Sequence, residues 1–479
     1  MSMTLPVAVP DNTQVGSPLW LLYHLKAKLD AEAPRLVQLD NYYHGIQDIP
    51  HVTDPEIAAD LRHLLVISAS NYMRVVVNAK KQRTRLQGFR LKDDADAVPD
   101  EQTWEMYQAN EMDTQLPILW QTAYTQRRGY LSVWYPQAGD DPRYPVIRVE
   151  SPTQVTVDHD PSDRRRRRAG LKIWVDDWTG AEHANVVTAT EITKWRWEPA
   201  TRTKPYSGWV FREETVPNRL GEVFFYPIAN MPTLSKPDGW SEIDDLIVIQ
   251  DRINRNIFNR QVAEHFTAFM QKWATGLEVP VDPETGLAIQ SFVSAINSFW
   301  LNEDPAGKFG AFPATDLKNY GVGKESDVQD ISVISGTPRH YFTVNGQAPS
   351  GDSMKSADSA LVAGVTDFTT NSAAGGLKLA TAAARRVMGL DTPVDMEVLW
   401  ADPEYQTLGQ LVDSHVKLYA AKILPRRDVL EKLGYTPPQI SRIEAAMLQA
   451  DLMSEALALP QEAAPSAPSA PSAPAFADG

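Results

Sequence analysis

Residues 239–273 read Gly-Trp-Ser-Glu-Ile-Asp-Asp-Leu-Ile-Val-Ile-Gln-Asp-Arg-Ile-Asn-Arg-Asn-Ile-Phe-Asn-Arg-Gln-Val-Ala-Glu-His-Phe-Thr-Ala-Phe-Met-Gln-Lys-Trp, and their spacing predicts one long helix. Ser241 is placed to cap its start through the backbone N–H of Asp244. Glu242, Asp244 and Asp245 put negative charge at the positive end of the helix dipole. Apolar residues then recur at Ile243, Leu246, Ile247, Ile253, Ile257, Phe258, Val262, Phe266, Phe269 and Met270, a helical and not a strand period. At 1.5 Å of rise per residue such a helix would be about 50 Å long. Its polar face carries Arg252, Arg255, Asn256, Asn259, Arg260 and Gln261. A helix of this length, with a wet face and a seam, either spans a large domain or packs against copies of itself. The seam of Ile253, Ile257 and Val262 therefore predicts a closed homo-oligomer.

Working outward, the chain of 479 residues is long enough for two to four domains with sizeable cores, and 43% of it is hydrophobic. Acidic residues outnumber basic ones by 61 to 46, a formal net charge of −15. That balance argues against a protein that grips nucleic acid through a general basic surface, because such affinity comes from neutralising phosphates. Loose passage of DNA remains compatible with it. The absence of cysteine removes disulfide scaffolds, thiolate catalysis and Cys-based metal sites together, and fits assembly in a reducing cytoplasm. The first fifteen residues lack the basic start and apolar core of a signal peptide, and there is no apolar run of about 18 residues. The expectation is a soluble protein with no membrane contact.

Before the long helix, Leu19, Leu22, Leu25, Leu29, Leu36 and Leu39 mark an amphipathic helix interrupted near Pro34. The stretch 71–86 is apolar and basic, and 102–110 and 116–128 predict two further helices. Lys92-Asp93-Asp94-Ala95-Asp96 has the look of a calcium loop but lacks the glycine and distal glutamate of an EF-hand, so it reads as a solvated linker. From Tyr130 the period changes to two. Segments 131–135, 146–149, 154–157, 171–175, 192–197 and 222–226 alternate and are bounded by turn residues, which predicts a mostly antiparallel β region. The run Arg164-Arg165-Arg166-Arg167-Arg168 falls at a turn between two of these strands, where it is either a phosphate contact or a solvated tip facing acidic neighbours.

After the long helix, Thr275-Gly276 is a stop, and prolines and glycines from Pro280 to Pro313 punctuate a compact insert. A short apolar segment lies at 327–334. Gly336-Thr337-Pro338 opens a loop in which Val344-Asn345-Gly346-Gln347 is a turn signal. A second long helical stretch runs from Ser350 to about Met388 with Gly364, Gly375 and Gly376 inside it. Interior glycines cost roughly 1 kcal/mol each, so the cluster predicts a bend or close packing. Residues 405–457 are helical again, broken at Pro425 and at Pro437-Pro438. The Ala-Pro-Ser tail from Ala463 onward cannot bury a core and is expected to be disordered and dispensable for assembly.

No catalytic pattern survives inspection. Gly321-Val322-Gly323-Lys324-Glu325 is the nearest thing to a phosphate loop, but Glu follows the lysine and Lys318 stands where the first glycine belongs. Gly-x-Ser-x-Gly, His-Glu-x-x-His and Gly-x-Gly-x-x-Gly do not occur. The histidines are scattered, with His265 and His340 expected to be satisfied locally. The expectation is no enzyme, no cofactor and no metal.

In this order the pieces resemble the portal proteins of tailed bacteriophages, particularly the siphovirus type. The resemblance rests on Tyr42-Tyr43-His44-Gly45, Gly88-Phe89, Trp104-Glu105-Met106-Tyr107-Gln108-Ala109-Asn110, the stretch 239–276, and Ser350-Gly351-Asp352-Ser353-Met354-Lys355-Ser356-Ala357. It implies an α+β portal fold: an α/β wing over 1–237, a stem helix over 238–275, a clip over 276–315, and a second stem segment over 316–335. A tunnel loop over 336–349, a kinked helix and wing return over 350–400, a helical crown over 401–458 and a disordered tail over 459–479 complete it. It further implies a ring of identical subunits, usually a dodecamer, at one capsid vertex of the virion, assembled in the host cytoplasm. Double-stranded DNA would pass without sequence recognition during packaging and ejection. The terminase motor, the major capsid and scaffolding proteins and a head–tail adaptor would be its partners. Arg339, His340, Asn345 and Gln347 would face DNA from the tunnel loop, and Arg252, Arg255 and Arg260 would line the stem. Two rival readings are a motor or nuclease of the same packaging system, which the missing phosphate loop disfavours, and a different head–tail adaptor ring, usually a much smaller protein.

Overall fold

The computed structural model describes residues 14–48, 61–91, 100–199, 208–211, 215–268, 272–275, 308–311, 316–342, 351–390, 396–404 and 408–458. Contacts divide the chain into two compact units, Met1–Gln406 and Thr407–Gly479. The candidate calcium loop and the Ala-Pro-Ser tail lie outside the described residues.

The first unit opens with helix α1 (Pro18–His44), capped by Ser17, whose side chain accepts from the Trp20 N–H at 3.3 Å, and closed by Gly45 at φ 83°. The expected interruption at Pro34 does not occur, and the helix is continuous over 27 residues. Tertiary packing overrides the proline's local cost. Leu22, Leu25 and Leu29 enter one hydrophobic core, and Leu39, Tyr42 and Tyr43 enter another, so the two halves are held in line from outside. Four shorter helices follow: α2 (Arg62–Ile67), α3 (Met73–Lys81), α4 (Glu101–Ala109) and α5 (Met112–Gln126).

The alternating segments form strands where period two predicts them in β2 (Arg128–Trp134), β3 (Val146–Glu150), β4 (Val155–His159), β5 (Arg167–Val175) and β7 (Glu191–Glu198), while the segment expected at 222–226 is displaced toward the C-terminus as β10 (Phe225–Ala229). Strands β6 (Glu182–Thr188), β8 (Gly208–Phe211) and β9 (Val216–Pro217), whose alternation is weaker, complete a six-stranded antiparallel sheet of order β4-β5-β6-β7-β8 with β9 on β7. A second sheet has the order β10-β2-β3. Strand β1 (Leu86–Leu91) pairs with β13 (Met396–Trp400), which returns the chain to the first unit before the C-terminal helices.

The second long helical stretch carries a π-helical turn, and two of its glycines pack closely, as the expectation of a bend or close packing allows. Helix α8 (Gly351–Asp367) passes into a π-helical turn (Phe368–Ala373) and then α9 (Ala374–Val387). A π turn re-aims the helix axis. Here it drives Phe368 against Tyr124 at 4.5 Å and Trp120 at 5.8 Å between ring centroids. The glycines on either side serve close approach: a Cβ on Gly364 would lie 3.4 Å from the Lys80 Nζ, and one on Gly376 only 2.6 Å from Ile228 Cγ1 and 2.8 Å from the Pro227 carbonyl. Gly375 meets nothing within 4 Å. Gly376→Ala is therefore expected to lower stability by about 1–3 kcal/mol, and Gly375→Ala to raise it by up to about 1 kcal/mol through helix propensity. Thermal melts of the two variants check this, and a Gly376→Ala protein that melts at or above the parent would refute the packing account.

The second unit contains α10 (Leu408–Ala420), α11 (Arg426–Lys432) and α12 (Pro437–Ala458), with prolines at the starts of the last two as expected. Val429 and Ile440 are buried, while Val412, Val416 and Tyr419 of α10 and Leu448, Leu452 and Met453 of α12 remain exposed.

Candidate functional site

The segment that begins the long apolar period is an anchor, and the helix itself, α6 (Ile247–Ala268), starts only at Ile247. Asn230 organises the anchor. It is fully buried; its N–H donates to the Arg127 carbonyl at 2.7 Å, its Nδ2 donates to the Trp240 carbonyl at 2.9 Å and to Glu242 Oε1 at 3.1 Å, and its carbonyl accepts from the Trp240 N–H at 2.8 Å. Gly239 lies between them at φ 89°. Ser241 does not cap a helix through Asp244 as expected. Its hydroxyl donates to the Thr125 carbonyl at 2.6 Å and accepts from the Ile243 N–H at 3.2 Å.

The three acids expected to complement a helix dipole are engaged elsewhere. Glu242 forms a buried ion pair with Lys80 of α3. Asp244, also buried, takes Arg35 of α1 and, at 3.0 Å, Arg127 at the end of α5. Asp245 accepts from Trp240 Nε1 at 3.2 Å. The first turns of α6 extend the attachment. Gln250 Nε2 donates to the Ser70 carbonyl at 2.9 Å, Asn254 Oδ1 accepts from the Ser70 N–H at 3.1 Å, and the Tyr42 hydroxyl donates to Asp251 at 2.7 Å. Burial, with the neighbouring Asp251, pushes the Tyr42 phenol well above its usual range. Burial likewise pushes the Asp251 carboxyl up, against the lowering effect of the Tyr42 hydrogen bond.

Helix α6 has 22 residues, about 33 Å at 1.5 Å per residue, and not the 50 Å expected. It cannot continue to Trp273 because Lys272–Thr275 forms strand β11, paired antiparallel with β12 (Lys308–Ala311) at the base of the insert. Its partner is α7 (Lys318–Ser335). The two run antiparallel: Arg252 Nη2 donates to Asp327 at 2.7 Å and Asp330 at 2.8 Å, while one turn on, a Cβ on Gly323 would come within 2.8 Å of Asn256 Nδ2. Ile253, Val328 and Ile331 are buried in the same core. Helix α7 is longer than the apolar segment 327–334, and Gly321-Val322-Gly323-Lys324 lies inside it. That resemblance to a phosphate loop thus dissolves into a helix in which Gly323 admits a neighbour.

The seam expected to face another copy is packed in part within the chain. Ile253 is fully buried, Ile257 packs on the main core, and Val262 packs on Phe258, Leu61, Leu64 and Leu65. Among the described residues, Val248 of α6 and Val322, Val333 and Ile334 of α7 are exposed large apolar side chains on this pair. Of the polar-face arginines, Arg252 is held by the α7 carboxylates, Arg260 pairs with Glu264 at 3.2 Å, and Arg255 is exposed.

Helix α7 ends at Gly336, φ 65°, and residues Arg339–Tyr341 make a single 3-10 turn. Arg83 binds this turn down. Its Nη2 donates to the Tyr341 hydroxyl at 2.8 Å and to Asp358 of α8 at 2.6 Å, and His340 Nε2 lies 3.5 Å from the other oxygen of Asp358. Phe342 sits 6.0 Å from Tyr72 between ring centroids. Residues 336–342 are thus an anchored arm at the start of the expected loop 336–349, the rest of which lies outside the described residues. Asn345 and Gln347 lie outside the described residues. Arg83 and Asp358 gave no sequence signal, since Arg83 is one of three basic residues at the end of α3 and Asp358 one charge in a helical polar pattern.

The arginine run resolves toward acidic neighbours. Arg167 is buried against Glu222 at 2.9 Å and lies 4.5 Å from the Tyr226 ring centroid, Arg168 pairs with Asp160 at 3.0 Å, and Arg165 and Arg166 share Asp163. Among the described residues there is no group of three or more His, Asp or Glu placed to hold a metal ion, and no helix is long and apolar enough to cross a membrane.

The family described as phage portal protein, SPP1 Gp6-like, matches residues 22–447. The portal protein of Mycobacterium phage D29 is 27% identical over 453 residues, covering 91% of this chain and 89% of that protein. The portal protein of Mycobacterium phage L5 is 26% identical over 450 residues with the same coverage. Among solved structures, a chain from the neck of an empty GTA particle computed with C6 symmetry aligns over 82% of this chain and 96% of its own, at 11% identity and a TM-score of 0.41. A chain from the neck of a native GTA particle computed with C12 symmetry aligns over 84% and 99%, at 10% identity and the same TM-score.

Proposed function

From the premise that this chain belongs to the SPP1 Gp6-like family of phage portal proteins, the subunits that ring one capsid vertex for DNA packaging and ejection, we propose that α6 and α7 form the stem around its channel. The observation that carries this is the rooted antiparallel pair: Glu242 and Asp244 fix its base to α1, α3 and the end of α5, Gln250 and Asn254 fix it to Ser70 before α3, and Arg252 ties its helices together. Ring contacts fall to the exposed Val248, Val322, Val333 and Ile334. The ring is a dodecamer without catalytic activity or cofactor. Residues 276–315 form the clip toward the terminase motor and the head–tail adaptor, and 1–237 the wing toward the capsid and scaffolding proteins. Residues 401–458 form the crown, and the subunits assemble in the host cytoplasm.

DNA slides because the wall is already neutralised. Carboxylates satisfy Arg252 and Arg260, which leaves few free cations to release counterions from phosphates, and the chain as a whole is acidic. The tunnel loop springs from the anchored arm, with Arg339, His340, Asn345 and Gln347 toward DNA. One Arg339 per subunit makes a band of positive charge that brakes phosphates without reading bases. Negative-stain images of the purified chain are expected to show rings with a central hole, and a protein that stays monomeric in several salts would overturn the proposal. Arg339→Ala/His340→Ala is expected to leave rings intact while altering DNA packaging or retention. Parental packaging and retention in that variant would remove both residues from the channel.

A further inference from the structure

The stretch Trp104-Glu105-Met106-Tyr107-Gln108-Ala109-Asn110 takes no part in the proposed stem or in the anchored arm, and it walls a cleft of about 280 Å³. The cleft opens where α4 and α5 meet at a fixed corner. Glu111 takes φ 53° there, and Asn110 Nδ2 donates to the Met106 and Pro145 carbonyls, each at 2.9 Å. Trp104 and Tyr107 of α4 and Met112, Leu116, Pro117 and Trp120 of α5 line it. Its walls are sheltered, since Tyr107, Met112 and Trp120 are each 1% exposed, Leu116 5% and Trp104 7%. Two hydroxyls close to it are already paired: that of Tyr107 with Thr381 Oγ1 at 2.9 Å, and Thr84 Oγ1 with the Tyr124 hydroxyl at 2.8 Å. The indole N–H groups of Trp104 and Trp120 are different, because among the described residues neither has a hydrogen-bond acceptor. Trp120 cannot turn to find one, since Trp400 and Phe368 pack on its ring at 5.7 Å and 5.8 Å between centroids. The mouth carries one charge of each sign, Arg85 and Asp113. Both are turned to near neighbours, Arg85 Nε donating to the Gln82 carbonyl at 3.1 Å and Asp113 accepting from Gln108 Nε2 at 2.9 Å.

We propose that this cleft binds a small neutral molecule built on one aromatic ring with a carbonyl oxygen, the ring between the apolar walls and the oxygen accepting from the indole N–H groups. A buried donor without an acceptor is costly, and a ligand oxygen removes that cost. Volume selects a single ring. An apolar cavity of about 150 Å³ already admits benzene, while sites that enclose drug-sized ligands run to roughly 300–1,000 Å³. The sheltered walls select a free molecule over a peptide, because the carbonyls of a peptide stay on its main chain while its aromatic side chains enter. The opposite charges at the mouth give an ionised ligand no net attraction. Every residue involved belongs to the first unit of one subunit, so the site stands apart from ring formation.

The test is fluorine NMR of para-fluoroacetophenone with the full-length protein. Para-fluoroethylbenzene, which has the same outline without the oxygen, and a capped peptide containing para-fluorophenylalanine are the comparison ligands. The ketone is expected to bind most tightly of the three, read as saturable broadening of its line. Trp104→Phe and Trp120→Phe each keep an aromatic ring and remove one N–H. Each is expected to weaken the ketone about three- to tenfold relative to the hydrocarbon, a ratio that mere loosening of the wall would not move. Leu116→Trp, which fills the cleft, is expected to abolish binding of both. No saturable binding of the ketone, a hydrocarbon bound as tightly, an unchanged ratio in both Trp variants, or tighter binding of the peptide would each overturn the proposal. Should Trp120→Phe lose the native circular dichroism spectrum, the ratio in Trp104→Phe decides.

Discussion

Replacing Glu242 by alanine is expected to cost roughly 3–5 kcal/mol, the usual consequence of leaving one member of a buried ion pair without its partner. The side chains of Lys80 and Glu242 are 8% and 5% exposed, so water cannot take over when one is removed. The loss does not stop there. Glu242 Oε1 also accepts from Asn230, whose amide holds the Trp240 carbonyl, and Lys80 Nζ fits in the space left by Gly364. Truncation therefore loosens α3, the base of α6 and helix α8 together. An apolar pair of similar volume, Lys80→Met with Glu242→Leu, is expected to recover a large part of the loss. A double-mutant cycle on thermal or urea unfolding measures the coupling. If Glu242→Ala unfolds within about 0.5 kcal/mol of the parent, the range for inconsequential surface changes, the clamp is not what holds the helix.

Gly239→Ala is the second change expected to have a large effect. The residue sits at φ 89°, and an added Cβ would lie 2.6 Å from both the Arg127 and the Asn230 carbonyl oxygens. The left-handed backbone alone costs an L-residue about 1–2 kcal/mol. The clash adds about 1–3 kcal/mol, because both oxygens belong to backbone already committed to hydrogen bonds. Gly180→Ala isolates the two contributions: it has φ 65° but no atom within 4 Å, so it should show the backbone cost alone. Equal losses of thermal stability in the two variants would mean that the close approach of the 127, 230 and 239 backbones does not matter.

Much of the fold is legible in short-range pattern. Alternation locates β2 to β5, β7 and, with a shift, β10, and helical period locates α1, α5 and α6. The glycine cluster announces the close packing around the π turn at Phe368–Ala373, and prolines mark the breaks among α10, α11 and α12. The candidate site is less legible. Arg339 and His340 are in a short turn after α7 as expected, yet the residues that hold that turn, Arg83 and Asp358, look like any solvated helix charge until α3 and α8 are brought together.

By itself the sequence determined most of the elements, because steric limits on the backbone and the burial of every second or every third and fourth side chain act within a few residues, and its resemblance to known portal proteins gave the family. Only the tertiary structure decided what those elements do to one another. Glu242 meets Lys80 across 162 positions and Arg83 meets Asp358 across 275. Pro34 stays inside α1 because two cores grip its ends. Ile253 is buried, and Ile257 and Val262 partly buried, by the chain itself, although a seam of the same spacing would suit a second subunit equally well. The energy of a buried charge pair or an apolar contact depends on distance in space, and separation along the chain does not encode that distance.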